Sequence, residues 1–222
     1  MNGINTSIRW GLVLAATSLI GCGSAPPTPT TWLALPAVTA AADHSDSTSA
    51  TTPWVVVQRL RVPEYLQTTA LRYRDGLNSF AEWPQARWAE RVEVNLTRHL
   101  AQSLQALRPG WRWCEAPCSA PGAGTVQVSY QSLEIQRAAG EVVAVVQWHL
   151  QPPGPRVPEG GGLQGQWQHR QAIDGDTPEA QVAALARMNK ALAESLVKVL
   201  NGSPPPASPL TPTSAPTPSP GA

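Results

Sequence analysis

Apolar residues recur along this chain in two periods. Over residues 88–107 they step by four and three, at Trp88, Val92, Leu96, Leu100, Leu104 and Leu107. That spacing lines one face of a helix, and Glu90, Arg91, Arg98, Gln102 and Gln105 cover the remainder. Ser79-x-x-Glu82 reads as a capping box, but Pro84 conflicts with an unbroken helix from that point. The pattern predicts one loose turn and then a main helix with Pro84 near its first position, ended by Pro109-Gly110. A second stripe, Val182, Leu185, Met188, Leu192, Leu196 and Val199, predicts a closing helix. Asp176-Thr-Pro-Glu179 supplies its cap chemistry and Asn201-Gly202 its stop.

The other period is two. Trp54 to Val62 is rich in β-branched residues, reads as a strand, and is stopped by Pro63; Pro63 to Leu66 is a turn. Leu71 to Arg74 is a short strand closed by Asp75-Gly76. Val126, Val128 and Tyr130 share one parity while Leu133 and Ile135 take the other, which predicts a β-bulge near Gln131-Ser132. Val142 to Val146 is continuously apolar and should be the most buried strand. Leu163 to Ile173 alternates, with Trp167 inward and Gln164, Gln166, Gln168 and Arg170 on the opposite side. Thr31 to Pro36 is a short apolar segment: either it is an edge strand on a long lead, or the domain begins at Trp54. The order β-β-β-α-β-β-β-α predicts an α+β fold, a mixed, largely antiparallel sheet with two long helices packed on one face.

The ends of the chain differ from this body. Trp10 to Ile20 is apolar but too short to span a bilayer, and it has the length of a signal-peptide core. Leu19-Ile20-Gly21-Cys22 resembles the lipobox of bacterial lipoproteins, which implies removal of residues 1–21 and acylation of Cys22; an ordinary signal peptide with a chance cysteine is the alternative. Gly23 stands where an inner-membrane retention signal would place Asp, which favours the periplasmic face of the outer membrane over the inner membrane. Residues 22–30 are then a lipidated tether, whose eight residues after Cys22 reach at most about 25–30 Å. Residues 31–202 form a single domain containing a flexible loop at 37–53. Residues 203–222 hold eight Pro and no charge, a disordered tail of polyproline character.

Charge and candidate chemistry narrow the function. Arg9 is the only charged residue in 1–21, which leaves 15 basic against 15 acidic residues. That balance does not suggest nucleic acid as a partner. Cys114 and Cys118 read as a local disulfide in an oxidising compartment, with metal and redox roles as alternatives. His99, His149 and His169 show no metal spacing to them. No GxSxG elbow, HExxH, Walker loop or SxxK occurs. His149 and His169 fall on adjacent strands as candidate neighbours, and Asp174 and Asp176 read as capping residues. The expectation is a non-enzymatic protein with no cofactor and no metal.

Leu60-Arg-Val-Pro-Glu-Tyr-Leu66, Leu71-Arg-Tyr-Arg74 and Arg87-Trp-Ala-Glu90 at the start of a long helix resemble the PqiC-like family, lipoprotein auxiliaries of ABC-type and MCE-type transport systems. The resemblance spans about residues 19–200. The Pro-rich tail, the 37–53 loop and the cysteine pair depart from it. It implies an outer-membrane-anchored periplasmic lipoprotein, a docking subunit of an MCE-type intermembrane lipid transport system, with an MCE-domain protein as partner, the membrane engaged through acyl chains, and a homo-oligomer allowed. Pro63, Tyr65, Leu66, Arg72 and Arg74 are the docking candidates, since Tyr and Arg anchor interfaces; a core-capping Tyr65 and a solvated arginine face are the alternative. A lipoprotein that binds cell wall or scaffolds envelope assembly is the competing function.

Overall fold

The computed structural model describes residues 28–38, 52–120, 122–154 and 162–202. The expected signal peptide, Cys22, most of its tether and of the 37–53 loop, and the tail lie outside the described residues. Eight strands form one mixed sheet: β1 (Thr31–Leu33), β2 (Trp54–Val57), β3 (Ala70–Arg74), β4 (Phe80–Trp88), β5 (Arg112–Glu115), β6 (Gly124–Gln136), β7 (Glu141–Gln151) and β8 (Leu163–Ala172). Helices α1 (Val92–Leu107) and α2 (Pro178–Leu200) pack on each other and against its core face.

β6 organises the sheet because of its length, 13 residues. One edge carries the long antiparallel β6–β7–β8 ladder. The other edge is shared by shorter neighbours. β2 pairs with Gly124 to Val126, Arg61 bridges to Ser129, and β3 meets the far end through Arg74 opposite Gln136, all parallel. The sheet is mixed as expected, but a largely antiparallel description fits only its β6–β7–β8 half and the β3–β4 pair. Four of the seven strand pairings are parallel. The parallel share was hidden because it comes from short strands brought together by long connections.

The switch of parity within β6 is the bulge expected near Gln131-Ser132, since the register to β7 shifts between Tyr130 and Ser132. Val126, Val128, Tyr130, Leu133 and Ile135 therefore all face the core. In β7 burial alternates rather than running continuously: Val142, Ala144 and Val146 are buried and the residues between them are half-buried. Trp167 is buried in β8, as its parity predicts.

Two further differences have clear causes. Phe80–Trp88, expected as a helix entry, is strand β4. Glu82 pairs across the strands with Arg72 rather than closing a capping box. Between the pairs Ala70–Arg87 and Arg72–Glu82 the register slips, and Pro84 lies in that irregular stretch, where a missing N–H is tolerated. α1 consequently starts at Val92, with Arg91 as an N-cap that makes no side-chain capping bond. Val92, Leu96, Leu100 and Leu104 are buried as expected; Trp88 is buried from β4, and Leu107 is exposed. β5 was not anticipated; it pairs in parallel with β2, and Cys114, within it, is disulfide-bonded to Cys118. The expected strand over Trp54–Val62 is regular only to Val57. Thr31–Leu33 is an edge strand, held parallel to the end of β4.

The expected α2 stripe is buried throughout, from Val182 to Val199. Thr177 is its N-cap, its hydroxyl accepting from the Ala180 amide at 3.1 Å. Asp176 and Asp174 do not cap: they pair with Arg137 and Arg187. The two helices and β6 meet around a buried polar group. Asn189 donates to the Leu96 carbonyl at 3.0 Å and faces His99 Nδ1 at 3.2 Å, while Tyr130 donates to Asn189 Oδ1 at 3.2 Å. Burial lowers the His99 pKa from 6.5, because the interior penalises the imidazolium.

Gly165 is required by packing. A Cβ there would lie 2.5 Å from the indole of Trp148, its partner across the β7–β8 ladder. Gly165→Ala should cost about 1–3 kcal/mol, read as a lower urea midpoint, whereas Gly110→Ala, with nothing within 4 Å of the added carbon, should leave it unchanged. The His99 shift also predicts a pH dependence. The unfolded imidazole takes up its proton first, so stability is full above about pH 6.5 and falls as pH drops toward the lower folded pKa. Unfolding free energies of the wild type and His99→Gln, measured between pH 5 and 8, should show the smaller slope in the variant.

Candidate functional site

The five docking candidates gather around one end of the β3–β4 hairpin, and each has a structural task. Leu66 is in the core, and Pro63 is half-buried before a 3-10 turn at Glu64–Leu66. That turn aims Tyr65 at the β6 edge. Its hydroxyl accepts from the Leu133 amide and donates to the Leu133 carbonyl, both at 3.3 Å. Leu133 follows the bulge and lies between the stretch that pairs with Arg61 and the one that meets β3. Tyr65 therefore supplies, from a side chain, the hydrogen bonds that a strand neighbour would otherwise make. Burial raises its pKa, which keeps the phenol protonated and able to donate.

Arg74 grips both carboxylate oxygens of Glu134, Nε at 2.9 Å and Nη2 at 2.5 Å, a bidentate clamp between β3 and β6. Such forks fix geometry as well as charge. A further Arg74 nitrogen holds the Leu77 carbonyl at 2.9 Å. Arg72 pairs with Glu82 and reaches the Tyr65 carbonyl at 2.9 Å. The arginines thus brace the hairpin rather than standing free.

What they brace was missed in the sequence. Phe80 stacks on Tyr65 with ring centroids 4.7 Å apart, and the Arg74 guanidinium lies 4.6 Å from the Phe80 ring. Leu77, at the tip, is 90% exposed and Phe80 37%. Gly76 turns the chain at φ +80°, and the Asp75 amide closes the turn onto the Ser79 carbonyl at 3.0 Å. The result is a hydrogen-bonded turn with an apolar end. Its signal was present as a Leu directly after Asp75-Gly76 and the chain's single Phe, but loop hydrophobes carry no period.

On the opposite, open face of the sheet lies a groove of about 770 Å³. Arg59 and Arg61 form one wall, and Gln127, Gln147, Gln164 and Gln166 extend across β6, β7 and β8. His149 lines it too. His169 does not, because it pairs with Ala144 on the core side and stacks on Trp167 at 4.9 Å. The two histidines are therefore on opposite faces of the sheet and are not neighbours. Among the described residues no group of three or more His, Cys, Asp or Glu is placed to hold a metal ion.

A buttress links the hairpin to α2. Arg137 holds both oxygens of Asp176, at 2.5 and 2.8 Å, and lies over the rings of Tyr73 and Trp83. Trp83 donates to Gln181 at 2.8 Å, and Gln181 donates to the Arg72 carbonyl at 3.0 Å. The guanidinium beside Asp176 holds that carboxyl below its usual value.

The family model for the ABC-type transport auxiliary lipoprotein component matches residues 34–197. The chain belongs to this family. The match takes in α1, α2 as far as Val197 and every strand except β1, so the hairpin and the groove both fall within the family domain. Among solved structures, an uncharacterized protein shares the fold with TM-score 0.64 at 16% identity, over 78% of this chain and 99% of that one. Protein XCC0632 from Xanthomonas campestris, of the DUF330 family, gives TM-score 0.51 at 11% identity, over 69% and 90% of the two chains. At these identities the likeness is one of fold. No curated protein matches the sequence.

Replacing Tyr65 with Phe leaves the Leu133 amide and carbonyl without their partner and should cost about 1–3 kcal/mol. Equilibrium unfolding in urea reads the loss. The tip contributes no core area, so Leu77→Ser should unfold at the wild-type midpoint in the same experiment.

Proposed function

We propose that this family member is a non-catalytic docking subunit, anchored through an acylated Cys22 to the periplasmic face of the outer membrane, that receives an MCE-domain protein of an intermembrane lipid transport system. The observation that carries the reading is the apolar tip of the β3–β4 hairpin. Leu77 and Phe80 are held out on a support whose arginines are already paired. Leu77 and Phe80 lie close together with Tyr65 stacked beneath Phe80, and adjoining exposed apolar and aromatic groups are what a partner surface buries. The lipobox-like end of the leader supports anchorage. Trp32, 61% exposed on β1, lies ten residues after Cys22, and interfacial positions beside a bilayer suit tryptophan. Anchorage also raises the effective concentration of the partner.

Affinity capture from cross-linked envelopes tests the reading. The wild-type chain should retain an MCE-domain protein, and Leu77→Asp should lower the yield at least tenfold while the variant melts normally. Undiminished capture by Leu77→Asp, or retention on cell wall that is lost when residues 203–222 are removed, would contradict it. Cys22→Ser should move the protein from the membrane to the soluble fraction.

A further inference from the structure

We propose that the groove on the open face of the sheet binds a phosphate-bearing, hydroxyl-rich anion of the kind that heads an anionic phospholipid. Arg59 and Arg61 are both exposed, and neither side chain makes an ion pair or hydrogen bond among the described residues. Their neighbours in the sheet differ: Arg72, Arg74 and Arg170 are each paired with a carboxylate. The segment that carries the two free arginines is fixed. Gln58 and Arg61 bond through their amides to Val126 and Val128 of β6 at 2.9 and 3.0 Å. Leu60, between the arginines, is buried, and its amide donates to Thr97 of α1 at 3.0 Å. With Leu60 turned inward, Arg59 and Arg61 on either side of it are both exposed toward the groove.

Both arginines line the groove, and among the described residues no Asp or Glu does. A planar guanidinium fork matches phosphate oxygens, and it is weakly enough hydrated to exchange water for them. The rest of the exposed lining is amide. Gln127, Gln147, Gln164 and Gln166 each offer a donor and an acceptor, the combination that pairs with hydroxyl groups. The volume of about 770 Å³ suits a small polar ligand. Among the described lining residues Trp148 is the only Trp, Tyr or Phe, and it is buried in the core, so they offer no exposed ring on which a glycan would stack. Nor do the described lining residues form an apolar wall for an acyl chain. The site fits a headgroup alone.

The inference does not depend on the docking role, since the groove and the hairpin tip are formed by different residues. Isothermal titration of the full-length chain with glycerophosphoglycerol, glycerophosphocholine and inorganic phosphate tests it. Glycerophosphoglycerol should bind, the zwitterionic analogue should bind at least tenfold more weakly, and the Arg59→Ala/Arg61→Ala double variant should lose at least tenfold affinity at an unchanged melting temperature. Added salt should weaken binding to the wild type and leave the variant unaffected. Inorganic phosphate that binds as tightly as the headgroup, with the same dependence on the arginines, identifies free phosphate as the source of the same anion. Absence of binding by every anion, or equal binding to the double variant, would overturn the proposal. Capture of the MCE-domain protein should be the same for the double variant and the wild type, which separates failure here from failure of the docking reading.

Discussion

A long strand needs partners along both edges, and β6 has a full-length partner on only one of them. β7 covers one edge from Thr125 to Gln136. The other edge is completed from pieces: β2, the bridge at Arg61, the Tyr65 hydroxyl on Leu133, and β3 secured by the Arg74–Glu134 clamp. A buried backbone amide or carbonyl left unpaired costs about as much as a lost hydrogen bond, so each piece is needed where it stands. The bulge makes the arrangement work. By switching parity at Gln131 it keeps Leu133 and Ile135 in the core and turns the Leu133 amide and carbonyl toward Tyr65. The hairpin that carries Leu77 and Phe80 is therefore part of the scaffold that closes β6.

The polar groups sort into two kinds. Most are committed: Arg74 to Glu134, Arg72 to Glu82, Arg137 to Asp176, and Asn189 with His99 and Tyr130 in the interior. These tie the hairpin, the sheet and α2 into one body. Among the described residues Arg59 and Arg61 are not committed, and both stand on a segment held through the amides of Gln58, Leu60 and Arg61. Apolar tip and basic groove lie on different parts of a domain whose family is the ABC-type transport auxiliary lipoproteins. The proposed protein contact and the proposed small-anion contact therefore draw on different residues.

Much of this was readable in the chain because it is periodic. The α2 stripe from Val182 to Val199, the α1 stripe from Val92 to Leu104 and the parity switch in β6 each follow from burial on one face. What was hidden depends on partners distant in sequence. Glu82 three residues after Ser79 has the spacing of a cap, yet its partner is Arg72 across the hairpin. β5 is only four residues long and is defined by pairing with β2. Of the docking candidates, Tyr65, Arg72 and Arg74 are bonded within the hairpin and to β6, and the exposed apolar groups beside them are Leu77 and Phe80, which follow no period. The groove was invisible because its walls come from the segment at Arg59–Arg61 and three further strands, and glutamines that alternate outward look like any solvated face.

Hydrogen exchange at the amide of Leu133 tests the central claim most directly. On the edge away from β7 Leu133 has no strand neighbour, and its amide points to that edge, so its protection depends on the Tyr65 hydroxyl. The account predicts that this amide exchanges as slowly as that of Tyr130, which is bonded to the Arg61 carbonyl at 2.8 Å. Exchange of Leu133 at the rate of an exposed loop amide, with Tyr130 still protected, would contradict it.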